Sequence, residues 1–247
     1  MRNASEQISI VLVEPQGPAN VGMVCRAMKN MGLSNLRLVN PCSLEHPDAL
    51  KYAVSAKDIL EKAEIFPSLE AAIADSPISV ATTRRHGKYR QEIMTPSEVV
   101  KEAEGLLSGN RAAFVFGRED SGLTTEEVSI CRWLSTIDTS QEYGSLNLAQ
   151  AVLIFCYEIF NGIKAENCKE SRILASGEEI ESMFGQMEKT LLRIGFLNKE
   201  NPDHIMRSLR RVLARAELDL REVSIFRGMM SQIDWATSDF RGKKGKS

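Results

Sequence analysis

Three short polar clusters hold the residue types in this chain that could do chemistry: Asn20-x-Gly22-x-x-x-Arg26, Gly117-Arg118-Glu119-Asp120-Ser121-Gly122-Leu123 and Ser145-Leu146-Asn147-Leu148. In the first, helical side chains lean toward the N-terminus, so Arg26 would lie back over a bare Gly22 surface and leave room for a bound group. An arginine fork with helix-start N–H groups suits a phosphate or ribose oxygen, and Asn20 can cap the helix or orient a ligand. In the second, Gly117 and Gly122 permit tight turns or close backbone approach, with Glu119 between them as an anchor. In the third, Ser145 and Asn147 can contact a ligand, and Asn147 is also a good N-cap. Each cluster alone has a plain account as well: a solvated arginine with an ordinary cap, a loop before a capped helix, and an N-cap.

The elements that must position these clusters alternate between short apolar runs and helical patterns over residues 1–163, the signature of an α/β fold around a largely parallel sheet. Strands are expected at Ile8 to Val13, Leu36 to Val39, Glu64 to Phe66, Ile78 to Ala81, Ala112 to Phe116 and Leu134 to Ile137. The first two clusters directly follow strands, and the third lies a few residues beyond one. In open α/β sheets ligands bind beyond the carboxyl ends of the strands, so the three clusters read as one site. Thr95-Pro96-Ser97-Glu98 and Thr124-Thr125-Glu126-Glu127 have the capping-box pattern, and Gly32 suits the end of the helix that starts near Asn20. The helix from Asn147 to Ile163 is apolar on nearly every face, which predicts burial by the sheet and by a partner subunit.

Residues 164–176 lose apolar periodicity and read as a linker. A small all-helical domain is expected over 177–235. Ser176 caps its first helix, which runs to about Ile194; Asn201-Pro202 starts a second, through Ala216; Asp219 starts a third, to about Trp235. In the second helix Ile205, Leu209, Val212, Leu213 and Ala216 form an apolar stripe, while Arg207, Arg210, Arg211 and Arg215 face out as candidate phosphate contacts. The tail 236–247 is basic and expected to be disordered. Its GKS ending is no phosphate loop, because Phe240 stands where the first glycine is required.

The chain has 247 residues and a formal net charge of −2, so bulk charge argues for no nucleic-acid partner. The balance is uneven, however: residues 177–247 carry 13 basic and 11 acidic side chains. Cys25, Cys42, Cys131, Cys156 and Cys168 are odd in number and never spaced as CxxC, which argues against disulfides and a zinc site and fits a reduced cytoplasm. His46, His86 and His204 are dispersed, so no metal is expected. Neither a signal segment nor a membrane span is expected. The absence of GxGxxG after an early strand argues against an ordinary dinucleotide fold.

In order and spacing, the three clusters resemble the SPOUT class of RNA methyltransferases, in its TrmH-like branch, which methylates ribose 2′-hydroxyls. This resemblance covers residues 8–163. Gly144 to Ala149 and the extension from Met183-Phe184 to Gly195-Phe196 are similar to the TrmJ family, tRNA cytidine/uridine 2′-O-methyltransferases acting at nucleotide 32. The resemblance implies a trefoil knot built from about Ala112 to Ile163 that cradles S-adenosylmethionine. It further implies cofactor contacts at Thr82, Thr83, Arg84, Gly117, Glu119, Ile137, Gly144, Ser145 and Leu146, and a catalytic set of Asn20, Arg26, Glu119, Ser145 and Asn147. Thr83-Arg84-Arg85 departs from the family in being more basic.

The cofactor's sulfonium carries an activated methyl, so the protein mainly aligns the ribose oxygen. Alignment is worth effective molarities of about 10⁵ to 10⁸ M, against roughly 10² to 10⁴-fold for general-base help. Arg26, with a pKa above about 12, is a poor base and reads first as a phosphate clamp on RNA. The resemblance implies a tRNA-methylating protein and, with the apolar helix Asn147 to Ile163, a homodimer. The alternatives are a ribosomal RNA target, another tRNA position, or a non-catalytic RNA-binding dimer.

Overall fold

The computed structural model describes residues 4–84, 93–107, 109–140, 144–163 and 172–238. Arg85, His86, Cys168, most of the expected linker and the basic tail from Asp239 onward lie outside the described residues. The chain divides into two compact units, Met1–Ile173 and Leu174–Ser247.

In the first unit the elements follow in the order β1 (Ile8–Val13), α1 (Pro18–Asn30), β2 (Asn35–Val39), α2 (Pro47–Ala53), α3 (Lys57–Glu61), β3 (Glu64–Phe66) and α4 (Leu69–Ile73). They continue with β4 (Ile78–Thr82), β5 (Ile93–Met94), α5 (Pro96–Leu106), β6 (Ala112–Phe116), α6 (Thr125–Ile130), β7 (Trp133–Ser135) and α7 (Leu148–Gly162). The strands form one sheet in the order β3-β2-β1-β6-β4-β7-β5. Every strand pairing within it is parallel.

All-parallel sheets are covered on both faces, which is why β6 is an unbroken apolar run and β1 is apolar but for Ser9, both buried along their whole length. One face carries Val11, Val13, Val39, Ala81 and Val115 against Leu69, Ile73 and Val128. On the other, the Phe155 ring of α7 stands edge-on to Phe116, with centroids 5.3 Å apart, and lies 6.0 Å from Phe114. Both expected capping boxes form, at Thr95 and Thr124. Gly32 turns the chain after α1 at φ 69°.

Three expectations need correction. The last strand ends at Ser135 rather than Ile137, because β5 offers it only Ile93 and Met94 as partners. β5 itself is too short to show any pattern in sequence. α1 begins at Pro18 with Gly17 as its N-cap, so Asn20 lies inside the first turn and caps nothing. Gly22 is not an open surface: a Cβ there would stand 2.4 Å from the Ala49 carbonyl oxygen and 2.8 Å from the Ala53 nitrogen. Glycine is required because the backbone of α2 crosses α1 at that point.

The long apolar helix α7 buries Val152, Phe155, Cys156 and Ile159 but leaves Leu153, Tyr157 and Phe160 exposed along one face. Within the chain, then, only part of its apolar surface is covered.

The second unit packs α8 (Gly177–Arg193), α9 (Asp203–Ala214) and α10 (Leu220–Ala236) around Phe184, Met187, Leu197, Met206, Val223 and Met230. Ser176 and Asp219 cap α8 and α10 through complete capping boxes. The expected stripe on α9 is narrower than the sequence suggests. Met206 is its buried residue, Ile205, Leu209 and Leu213 pack at the margin, and Val212, 55% exposed, and Ala216 face solvent. Arg210 also departs from the expected outward row. Its Nη1 and Nη2 bond both carboxylate oxygens of Glu181, and its guanidinium stacks 4.4 Å from the Phe184 ring centroid.

Candidate active site

Because all the strands run the same way, the exits of β1, β4, β6 and β7 share one edge of the sheet, and the polar loops leave from there. A cavity of about 270 Å³ opens among them. Thr82 at the end of β4 with Thr83 and Arg84 beyond it, Gly117 and Glu119 after β6, Ile137 after β7, and Gly144, Ser145 and Leu146 before α7 all line it. Phe116, Leu148 and Phe155 supply further apolar wall, and Ser135, Thr139 and Asp120 supply polar wall. The Thr82 hydroxyl is already committed, donating to the Val115 carbonyl at 2.9 Å.

The second cluster is a closed loop. Arg118 and Gly122 exchange backbone hydrogen bonds of 3.2 and 2.9 Å, and Gly122 adopts φ 71°. A Cβ at Gly117 would lie 2.1 Å from the Gly122 carbonyl carbon. The sequence suggests that a side chain at Gly117 would first fill ligand space, whereas it would first strike its own loop.

Glu119 leaves this loop toward the start of α1. Its Oε2 accepts from the Gln16 N–H at 2.9 Å, and its Oε1 accepts from the Gly17 N–H at 3.0 Å and from Asn20 Nδ2 at 2.9 Å. Burial opposes ionisation of this carboxyl, but the hydrogen bonds from Asn20, Gln16 and Gly17 outweigh it and hold the pKa below the ordinary value. Glu119 is thus a fixed anion held by three hydrogen bonds. Asn20 in turn accepts from Asn147 Nδ2 at 2.9 Å, and Asn147 Oδ1 accepts from the Ala149 N–H at 2.9 Å as the N-cap of α7. Glu119, Asn20 and Asn147 form one chain of bonds across three elements. Ser145 stands at the cavity wall, two residues before Asn147.

Arg26 is not brought into this group. It is exposed on α1 and does not line the cavity. Six residues along a helix place it about 120° around the axis from Asn20. Arg207 and Arg211 are partly exposed on α9, Arg211 bonds Ser208 Oγ at 2.9 Å, and Arg215 is exposed. Sequence reasoning overlooked the backbone amides of Gln16 and Gly17 and the partners of Arg118. No motif marks a backbone donor, but Glu14, a charge directly after a buried strand, was a usable signal.

Comparison with known proteins decides the family. The SpoU rRNA Methylase family matches residues 7–157, and the C-terminal domain of tRNA methyltransferase TrmJ matches residues 178–244. The chain belongs to the TrmJ branch of the SpoU methylase family. The tRNA (cytidine/uridine/adenosine-2′-O-)-methyltransferase TrmJ of Pseudomonas aeruginosa (strain UCBPP-PA14) is 36% identical over 240 residues, covering 92% of this chain and 93% of its own. The tRNA (cytidine/uridine-2′-O-)-methyltransferase TrmJ of Escherichia coli (strain K12) is 35% identical over 237 residues, covering 93% and 96%. The crystal structure of TrmJ from Z. mobilis ZM4 matches with a TM-score of 0.81 at 33% identity, covering 92% of this chain and 98% of that one. With both halves of TrmJ matched, the cavity and the Glu119–Asn20–Asn147 chain lie in the SpoU methylase part, and the α9 arginines lie in the C-terminal part.

Proposed function

We propose that this protein transfers a methyl group from S-adenosylmethionine to a ribose 2′-hydroxyl of tRNA, at cytidine or uridine 32 of the anticodon loop. The observation that carries the reading is the junction of the cavity with the Glu119–Asn20–Asn147 chain, in a TrmJ family member. A cavity with apolar walls at Ile137, Leu146 and Phe155 and polar groups at its rim suits a nucleoside joined to an amino acid. S-adenosylmethionine, when bound, supplies an electrophilic methyl on its sulfonium. The chain's own residues do the rest. Thr83, Ile137, Gly144 and Leu146 hold the cofactor, in the knotted arrangement that the SPOUT resemblance implies. Glu119 fixes the Asn20 carboxamide, which fixes Asn147, so two amide groups stand at set positions beside Ser145. Arg26 clamps an RNA phosphate and brings the ribose to them.

Matching of the TrmJ C-terminal domain favours tRNA over the ribosomal RNA of the family's description. The protein works as a homodimer in the cytoplasm, and the exposed Leu153, Tyr157 and Phe160 face of α7 is where the second copy packs. Multi-angle scattering would give a dimer at micromolar concentration, and a monomer for Tyr157→Asp with Phe160→Asp.

The deciding experiment incubates the protein with methyl-labelled S-adenosylmethionine and, in parallel, tRNA transcripts and ribosomal RNA, then maps 2′-O-methylated nucleotides. Label at nucleotide 32 as cytidine or uridine is the expected result, with adenosine 32 as a further arm. Label confined to ribosomal RNA, or no label, would refute the reading.

A further inference from the structure

Arg118, next to Glu119, serves a separate set of partners. Its Nε donates to Glu14 Oε2 at 2.8 Å, Nη1 and Nη2 donate to the two oxygens of Glu127 at 3.0 Å each, and Nη1 also reaches the Gly122 carbonyl at 3.3 Å. The Arg118 and Glu127 side chains are only 16% and 17% exposed. A fork of charge-assisted bonds at this depth is stiff and directional.

The three partners belong to three different places. Gly122 closes the loop that walls the cavity. Glu127 accepts from the Thr124 N–H at 2.7 Å and so belongs to the capped first turn of α6. Glu14 is the first residue beyond β1 and sits at φ 46°, a conformation a non-glycine residue rarely holds without support. Three consecutive residues after β6 therefore grip the segment after β1: Arg118 holds Glu14, Glu119 holds the Gln16 and Gly17 amides and Asn20, and Asp120 accepts from the Gln16 side chain. Arg118 is the one of the three that also ties this clamp to the cavity loop's closure and to α6.

We propose that Arg118 is a positioning residue for methyl transfer, holding the cavity loop and the Asn20-bearing entry of α1 in one fixed relation. This rests on the function proposed above. Without the guanidinium, the Glu14 and Glu127 carboxylates would lose their shared cation where the loop closes, and the loop would be held to the β1 exit through Glu119 without the tie to α6.

The test measures cofactor affinity by calorimetry, and kcat with tRNA at saturating cofactor, all well below each variant's melting temperature. Arg118→Gln is expected to weaken cofactor binding by roughly ten- to a hundredfold, the scale of removing hydrogen bonds to charged groups, and to lower kcat as well, leaving tRNA affinity unchanged. Arg118→Lys is expected to recover part of the loss, since an ammonium reaches one carboxylate but not both. Glu14→Gln is expected to lower kcat with cofactor affinity nearly intact, because Gly122 and Glu127 still hold the loop. The double variant should have the kcat of Arg118→Gln alone. Wild-type cofactor affinity and kcat in folded Arg118→Gln would overturn the proposal, as would kcat losses that multiply in the double variant. If Arg118→Gln does not fold, Glu14→Gln decides: a lowered kcat supports the clamp and an unchanged one overturns it. Wild-type protein that methylates no tRNA would refute the proposed function instead, and the cofactor titration of Arg118→Gln would still read the clamp.

Discussion

Asn147 and Asn20, 127 positions apart in the chain, are joined side chain to side chain, Asn147 Nδ2 donating to Asn20 Oδ1 at 2.9 Å. A residue that reads in sequence as a helix cap is therefore also the far end of a bond chain that begins at Glu119.

The two duties of Asn147 can be separated. Asn147→Asp keeps an oxygen to cap the Ala149 N–H but loses the donor to Asn20. Asn147→Ala loses both, and removing a cap costs about 1 kcal/mol. Thermal melts should show the aspartate variant near wild type and the alanine variant lowered, while methyl-transfer assays show both reduced by roughly tenfold or more.

At Gly117 the structure predicts a folding defect before a binding defect. Gly117→Ala forces a Cβ into the Gly122–Leu123 backbone. Hydrogen exchange should show loss of protection at the Arg118 and Gly122 amides, together with loss of cofactor binding. A variant that binds cofactor normally would contradict this.

For Arg26→Ala, the expected outcome is nearly complete loss of methyl transfer with cofactor affinity preserved, since the residue is exposed and lies outside the cavity. Calorimetry and single-turnover assays on one preparation measure both. Equal loss of the two would place Arg26 on the cofactor side.

In α9 the arginines divide. Arg207, Arg211 and Arg215 replaced together by alanine should weaken tRNA binding and lower the log-log salt slope by roughly 0.7 to 0.9 for each phosphate that is no longer neutralised. Arg210→Ala should instead lower thermal stability, because Glu181 and Phe184 lose their partner. An unchanged salt slope in the triple variant would leave this face as plain solvated surface.

Much of the fold was legible because parallel strands buried on both faces are largely apolar runs, and β1 and β6 begin and end where those runs do. β5 and the short helices α2 to α4 were not, since two to seven residues cannot display a period. The grouping of the clusters was readable from their place at strand exits. Two features were not: Gly22 looked like open space because contact with another helix's backbone leaves no mark in sequence, and Arg210 looked like its neighbours because its partners lie on α8, 26 and 29 positions away.

The strand order has a consequence for how the chain can be assembled. β6 lies between β1 and β4, and those two strands pair with it rather than with each other. Until Phe116 has left the ribosome, both therefore present an open row of backbone donors and acceptors along an apolar strand, the feature that invites pairing with another chain. The centre of the sheet thus closes only after β1 to β5 have been made, with β7 still to follow, so the nascent protein carries the open edge of β1 through nearly half of its length and that of β4 from Thr82 onward.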